Sequence, residues 1–311
     1  MIVVKDVNEL KNLIQQHTVN ITIGNFDGVH LGHRDFLASI KKSSLDSDAK
    51  FVVITFIPHP AQALKGQSGF LINTYEERRE LLEKEGVDYL LEVDFTRDFS
   101  SLSPEQFVEN FICIFPKVEC VYLGYDFSFG ANRAGDHSKS QKIFAEKNIP
   151  LKLQHEFKLR DTTVSSSEVR QALQKGDVER AAELLGRQYY VSGRVIKGQG
   201  RGKQIGFPTA NLDYNREIIL PSKGVYLTKT QIHDMVYFSV TNVGANPTFN
   251  TENELHVETH LLNFTRDIYG DEIKVFFYKK LRDEKIFQTV NELVEQIKTD
   301  VTTAELLFKI K

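Results

Sequence analysis

The chain has 311 residues, long for one domain and comfortable for two that each bury a core. Its 41% hydrophobic and 26% charged residues are ordinary globular composition, and a net charge of −3 supplies no global basic field of the kind nucleic-acid binding uses. Two cysteines, no basic and apolar leader, and no apolar run of spanning length argue against a disulfide framework, a secretory signal and a membrane span, so a cytoplasmic protein is expected.

From the start to about residue 160, strand-like and helix-like segments alternate, which predicts βαβ crossovers and a doubly wound parallel sheet of the α/β class. Val19–Ile23 reads as a short buried strand, and 51–56 as a continuous apolar one. Thr74-Tyr75-Glu76-Glu77 opens a helix with a capping-box pattern, and Ser103-Pro104-Glu105-Gln106 opens another with proline at its first position. Segments 86–93 and Val118–Leu123 supply further strands, and Cys113 and Cys120, in apolar surroundings, are expected as reduced core residues. Two short capped helices follow between about 165 and 186, starting at Ser165 and Asp177. After Gly186, strands at Tyr189–Ile196, 224–230, 236–241, 255–262 and 272–278 alternate with Gly, Pro and Asn turns, predicting an antiparallel barrel or sandwich. An amphipathic stretch at 290–310, interrupted near Thr299-Asp300, predicts terminal helices against it.

The densest chemistry lies in Gly24-Asn25-Phe26-Asp27-Gly28-Val29-His30-Leu31-Gly32-His33, at a strand-to-helix junction. Free amides and the positive end of a helix dipole meet an anion there, and His30 and His33, one turn apart, reach the same phosphate. The alternatives are a tight turn with solvated histidines, or a metal site, for which no third ligand stands at suitable spacing. Gly124-Tyr125-Asp126-Phe127-Ser128-Phe129-Gly130 follows another strand, as does Thr55-Phe56-Ile57-Pro58-His59-Pro60, whose aromatic and proline surfaces suit a planar ring. Val164-Ser165-Ser166-Ser167-Glu168-Val169-Arg170 sets three hydroxyls at a helix start with an arginine one turn on, either an ordinary capped helix or a phosphate grip.

In the second half, residues 197–212 combine glycines Gly198, Gly200, Gly202 and Gly206 with Lys197, Arg201 and Lys203, without a Walker A lead-in. Pro208-Thr209-Ala210-Asn211 follows, and on an extended segment Thr209 and Asn211 project from one face, where they can ligate a cation and a nucleotide phosphate. Period-two alternation at 256–264 puts His256, Glu258 and His260 on one side of a strand, as a solvated face or as a carboxylate base between imidazoles.

Taken in order from Gly24 to about Asp300, these motifs resemble the bacterial bifunctional riboflavin kinase/FMN adenylyltransferase (FAD synthetase) family. The resemblance implies a Rossmann-like nucleotidylyltransferase domain with a parallel sheet over residues 1–186 and an antiparallel β-barrel riboflavin kinase domain with terminal helices over 187–311. It implies catalytic roles for His30, His33, Arg170 and Glu258, and an adenylyltransferase ATP site from Gly24, Phe26, Asp27, Gly28, Gly32, Ser165, Ser166 and Ser167. Phe56, Pro58, Asp126 and Phe127 are implied flavin contacts there. In the kinase half it implies ATP contacts from Gly198, Gly200, Gly202, Lys203, Pro208, Thr209 and Asn211, with Thr209 and Asn211 also on Mg²⁺, and Arg282 on the flavin. The resemblance further implies ATP as co-substrate, riboflavin and FMN as substrates, and FMN and FAD as products; no nucleic acid or membrane partner is expected, and self-association is left open. Thr163, Asn246 and Asn263 depart from the family pattern, which commonly has basic residues at the first two positions and aspartate at the third. A monofunctional member with one decayed site, a flavin-nucleotide sensor without turnover, and a nucleic-acid binder built on Lys197 to Lys203 are the competing readings.

Overall fold

The structure, a computed structural model, describes residues 1–66, 68–125, 127–131, 134–198, 200–245 and 255–309. It divides into two compact units, Met1–Ser68 with Asn73–Ser166 and Gly69–Ile72 with Ser167–Lys311. Asp126 and Asn246, both named in the family resemblance, lie outside the described residues.

The first unit runs β1 (Ile2–Val4), α1 (Val7–Leu13), β2 (Val19–Ile23), α2 (Leu31–Asp46), β3 (Lys50–Ile57), α3 (Pro60–Lys65), α4 (Tyr75–Lys84), β4 (Tyr89–Asp94), α5 (Arg97–Ser100), α6 (Pro104–Phe111), β5 (Val118–Leu123), α7 (His137–Glu146), β6 (Leu151–Leu153), β7 (Lys158–Leu159) and β8 (Thr162–Thr163). Six strands form one sheet in the order β1-β4-β3-β2-β5-β6, every pair parallel. All of β2 is buried, as is β3 from Phe51 to Phe56, because helices cover both faces of the sheet. Both capping boxes form, at Thr74 with Glu77 and at Ser103 with Gln106. The chain builds outward from β2 through β3 and β4, then returns to lay β5 on the other side of β2. Ligands of such sheets bind at this reversal, beyond the carboxyl ends of the strands. Ile23 pairs with both Ile54 and Leu123, so Gly24 and Gly124 leave the sheet side by side at that place.

The second unit contains all but the first residue of α8 (Ser166–Lys175), then α9 (Val178–Leu185), β9 (Tyr189–Ile196), α10 (Arg201–Gln204), β10 (Ala210–Tyr214), β11 (Gly224–Ile232), β12 (Met235–Ala245), β13 (Leu255–Leu261), β14 (Glu272–Arg282) and α11 (Val290–Phe308). The strands close as an antiparallel barrel, β10-β13-β12-β11-β14-β9. Its interior holds a hydroxyl network: Thr228 bonds Ser239 (2.8 Å) and Thr241 (2.7 Å), and Thr241 donates to Thr259 (2.8 Å). All four side chains are fully buried, so each hydroxyl depends on its neighbours.

Two expectations are corrected. Residues 290–308 form the single helix α11 without interruption at Thr299-Asp300, because Asp300 is buried against Arg282 instead of breaking the helix toward solvent. Cys113 is exposed while Cys120 is buried, since Cys113 falls just past the end of α6, where the chain turns away from the core. The basic loop also carries the short helix α10, which hydrophobic patterning did not reveal.

Thr241→Val keeps the shape but removes the bonds to Thr228 and Thr259, leaving Thr228 on Ser239 and Thr259 on Thr230. We expect a loss of about 1 kcal/mol, read by chemical denaturation of the full chain.

Candidate active sites

His30 caps α2, a position that Ser, Thr, Asp or Asn usually fills. Its Nδ1 accepts from the His33 amide at 3.2 Å, which places the proton of the neutral ring on Nε2 and leaves a donor there. The two imidazoles stack with centroids 3.7 Å apart, and Phe26 meets His33 edge-on at 5.1 Å. The turn needs unusual backbone: φ is 83° at Gly28 but also 49° at Phe26 and 36° at Val29. Gly24 donates its amide to Ile54 at 3.0 Å, and a methyl group on it would lie 2.9 Å from the Phe26 ring. On Gly32 a methyl would stand 3.2 Å from the Val164 carbonyl and 3.3 Å from the His30 ring.

Ser166 Oγ donates to the carbonyl of buried Asp27 at 2.8 Å, so the serine motif is joined directly to the histidine turn. Ser165 is half-buried and Ser167 exposed. Arg170 donates through Nε to the Phe70 carbonyl at 2.8 Å, with its guanidinium 3.7 Å from that ring's centre. Thr163, at the place of the family's basic residue, donates its hydroxyl to Glu156. On the flavin side, Phe56 is buried among Phe95, Phe99 and Phe107, Pro58 is exposed, and half-buried Phe127 stacks on Phe129 at 5.9 Å.

In the barrel unit, Glu258 pairs in register with Asn211 on one side and Asn242 on the other, so the three stand in a row across β10, β13 and β12. Glu258, Thr209 and Asn242 line a cavity of about 310 Å³. Burial pushes the Glu258 carboxyl above its usual 4.5, with His256 and Arg201 pulling partly back. His260, two residues on, shares a 2.8 Å hydrogen bond between its Nδ1 and the Pro208 carbonyl. A side chain at Gly198 would collide with the Asn211 amide, and one at Gly202 with the Phe207 carbonyl, so these glycines let the loop close onto the Thr209–Asn211 strand. Gly200 takes φ 69°, while Lys203 and Pro208 are exposed. Asn263 also takes a left-handed backbone, φ 54°, which Asn and Asp tolerate best among non-glycine residues.

Arg282 ends β14, lines the same cavity, and grips Asp300 with Nε at 3.0 Å from both oxygens and Nη2 at 2.8 Å. From α11, Leu293, Ile297 and Val301 form an apolar wall. Asp300 and this wall were not marked by any motif, although an acid on the apolar face of the 290–310 pattern was the available signal for Asp300. Among the described residues no group of three or more His, Cys, Asp or Glu forms a metal cage.

A turn bearing two histidines at the reversal point of a parallel sheet, together with a half-buried carboxylate lining a cavity on a closed barrel, is the framework of a nucleotide-dependent transferase with two sites. The FAD synthetase family model matches residues 13–168 and the riboflavin kinase family model residues 185–308. Bifunctional riboflavin kinase/FMN adenylyltransferases are similar along nearly the whole chain. That of Bacillus subtilis (strain 168) is 37% identical over 90% of this chain and 89% of its own, and that of Escherichia coli (strain K12) is 34% identical over 99% and 98%. A solved structure described as a macrolide-efflux protein from Streptococcus pneumoniae superposes with a TM-score of 0.87 at 29% identity, covering 98% of this chain and 99% of that one. No helix among the described residues is long and apolar enough to cross a membrane. The chain belongs to the bifunctional riboflavin kinase/FMN adenylyltransferase family. It is a transferase of both kinds, with ATP and flavins as its ligands.

Two outcomes are expected. Gly32→Ala crowds the His30 ring and should slow FAD formation from FMN about tenfold while FMN formation is unchanged, as product chromatography would show. Glu258 binds its proton more tightly folded than unfolded, so its ionisation opposes folding: that cost is absent below the unfolded value and appears as pH rises through the folded one. Glu258→Gln should therefore raise the denaturation midpoint near neutral pH more than in mild acid, while FMN formation by the parent falls with acidification at a pH above the ordinary glutamate range.

Proposed function

We propose that the first unit's turn carries adenylyl transfer and the barrel cavity carries phosphoryl transfer. In the first reaction an FMN phosphate oxygen attacks the α-phosphorus of ATP and pyrophosphate leaves; no protein nucleophile is needed, so the residues act by positioning and by offsetting charge. His30 donates through Nε2 and His33 stands beside it, with the amides of the α2 N-terminus behind both. Ser165, Ser166, Ser167 and Arg170 meet the departing pyrophosphate, a reading supported by the bond that ties Ser166 to the turn. Phe56, Pro58, Asp126 and Phe127 are assigned to the flavin edge of this site.

In the second reaction Glu258 removes the proton of riboflavin's terminal ribityl hydroxyl as that oxygen attacks the γ-phosphorus of ATP, and ADP leaves as the bond to the bridging oxygen breaks. The observation that carries this reading is the placement of a half-buried Glu258 between Asn211 and Asn242 beside an apolar-walled cavity. The apolar wall suits the flavin ring, with Arg282 at its edge, and Gly198, Gly200, Gly202, Lys203 and Pro208 cover the nucleotide phosphates. Mg²⁺ typically takes one or two protein oxygens and otherwise phosphates and water, and the neutral oxygens of Thr209 and Asn211 fit that donor set. When bound there, the ion would neutralise charge on the β- and γ-phosphates. Functional boundaries at 1–186 and 187–311 are part of this reading, supported by family matches that end at 168 and resume at 185. A cytoplasmic site of action is supported by two free cysteines.

The test separates the reactions on one chain. Glu258→Ala should cut FMN formation by about 10²–10⁴-fold while FAD formation from supplied FMN survives, and His33→Ala should do the reverse; loss of both in either variant would contradict the assignment.

A further inference from the structure

Beneath the histidine turn lies a charged side chain that neither reaction uses directly. Arg78, on α4, is 2% exposed. Its Nη1 donates to the Asn25 carbonyl at 3.1 Å, which also accepts from Thr55 Oγ1 at 3.4 Å. The nearest carboxylate is Glu92 of β4, equally buried, but Arg79 holds it with Nε at 2.9 Å from one oxygen and Nη2 at 2.6 Å from the other. Arg78 Nη2 forms an ion pair with Glu92 at 3.5 Å and the guanidinium lies 4.9 Å from the centre of the Tyr75 ring, but neither Nη2 nor Nε makes a well-aligned hydrogen bond among the described residues. Two guanidiniums thus share one carboxylate, and the other acid near Arg78 is Asp27, in the turn itself.

A guanidinium serving only as a strut would be paired as Arg79 is. Buried groups left incompletely paired are rare, and they concentrate at functional sites. Arg78 directs its best hydrogen bond to the backbone at the start of the turn, just before Phe26 and Val29 take positive φ. With Ser166 on the Asp27 carbonyl, the turn is gripped at two carbonyls on either side of Phe26.

We propose that Arg78 is a positioning residue for adenylyl transfer: it clamps the Asn25 carbonyl, holds the strained turn that presents His30 and His33, and sets a buried positive charge, shared with Glu92 and Asp27, behind that turn. The inference rests on the reading of this turn as the adenylyl-transfer site. It adds a donor that no sequence motif marks, drawn from a helix some fifty residues downstream.

The experiment measures FAD formation from FMN and FMN formation from riboflavin in the same full-length preparations of Arg78→Gln, Arg78→Lys and His30→Ala. Glutamine keeps a donor for Asn25 without the charge, and lysine keeps both without the planar fork. Arg78→Gln should lower kcat for FAD formation about tenfold with the KM for FMN changed less than about threefold, Arg78→Lys should recover most of the rate, and FMN formation should be unchanged in both. A parent-like kcat in Arg78→Gln, a lysine variant no better than glutamine, or equal loss of both activities would overturn the proposal. Should Arg78→Gln not fold, the lysine variant decides: a two- to fivefold loss in kcat at unchanged KM is expected, by the order of magnitude above, and a parent-like kcat refutes it. If His30→Ala itself keeps FAD formation, the underlying site assignment fails; if only His30→Ala loses it, the role of Arg78 alone fails.

Discussion

The hydrogen bond from the His33 amide to His30 Nδ1 determines much of what the first unit can do. A helix start must satisfy its free amides, and most helices do so with a hydroxyl or carboxylate that then has nothing further to offer. Here the cap is an imidazole, so one ring nitrogen is spent on the helix and the other becomes a donor of fixed identity. The arrangement is tight. Positive φ at Phe26, Gly28 and Val29 turns the chain, Gly32 leaves room for the His30 ring, and Ser166 closes the turn from the far end of the unit's sequence. Placing this turn on β2, between β3 and β5, sets it where a doubly wound sheet leaves an open crevice.

The barrel unit meets a different demand, since its reaction needs a base. Antiparallel register does the work: a strand pairs with neighbours on both sides, so Glu258 acquires Asn211 and Asn242 as flanking amides without any of them being near in sequence. Burial raises the carboxyl's affinity for a proton, which suits the proton-accepting role proposed for it. The opposite faces of the same strands carry the buried hydroxyls of Thr241 and Thr259, so one register serves both the interior network and the exterior site. The Arg282–Asp300 pair fixes α11, whose apolar residues wall the cavity.

Much of this was legible in the sequence because the signals are local. Apolar runs marked β2, β3 and β5, capping boxes marked α4 and α6, and alternation put Glu258 and His260 on one face. What escaped is what tertiary contact decides. Asp300 looked like a helix breaker because its partner Arg282 comes from another element. Cys113 looked buried because its sequence neighbours are apolar, although the chain turns it outward. Arg78 gains meaning only from the carbonyl of Asn25. Around Phe56 the fold assembles three other phenylalanines that local pattern could not bring together.

Two chemically different ATP reactions on one chain are the heart of this account. The most direct measurement supplies riboflavin with ATP carrying one label on its α-phosphate and a distinguishable label on its γ-phosphate, and follows both into the flavin products. FMN should carry the γ-label alone, and FAD should carry both labels in equal amounts. Any α-label in FMN, or FAD lacking it, would contradict the account.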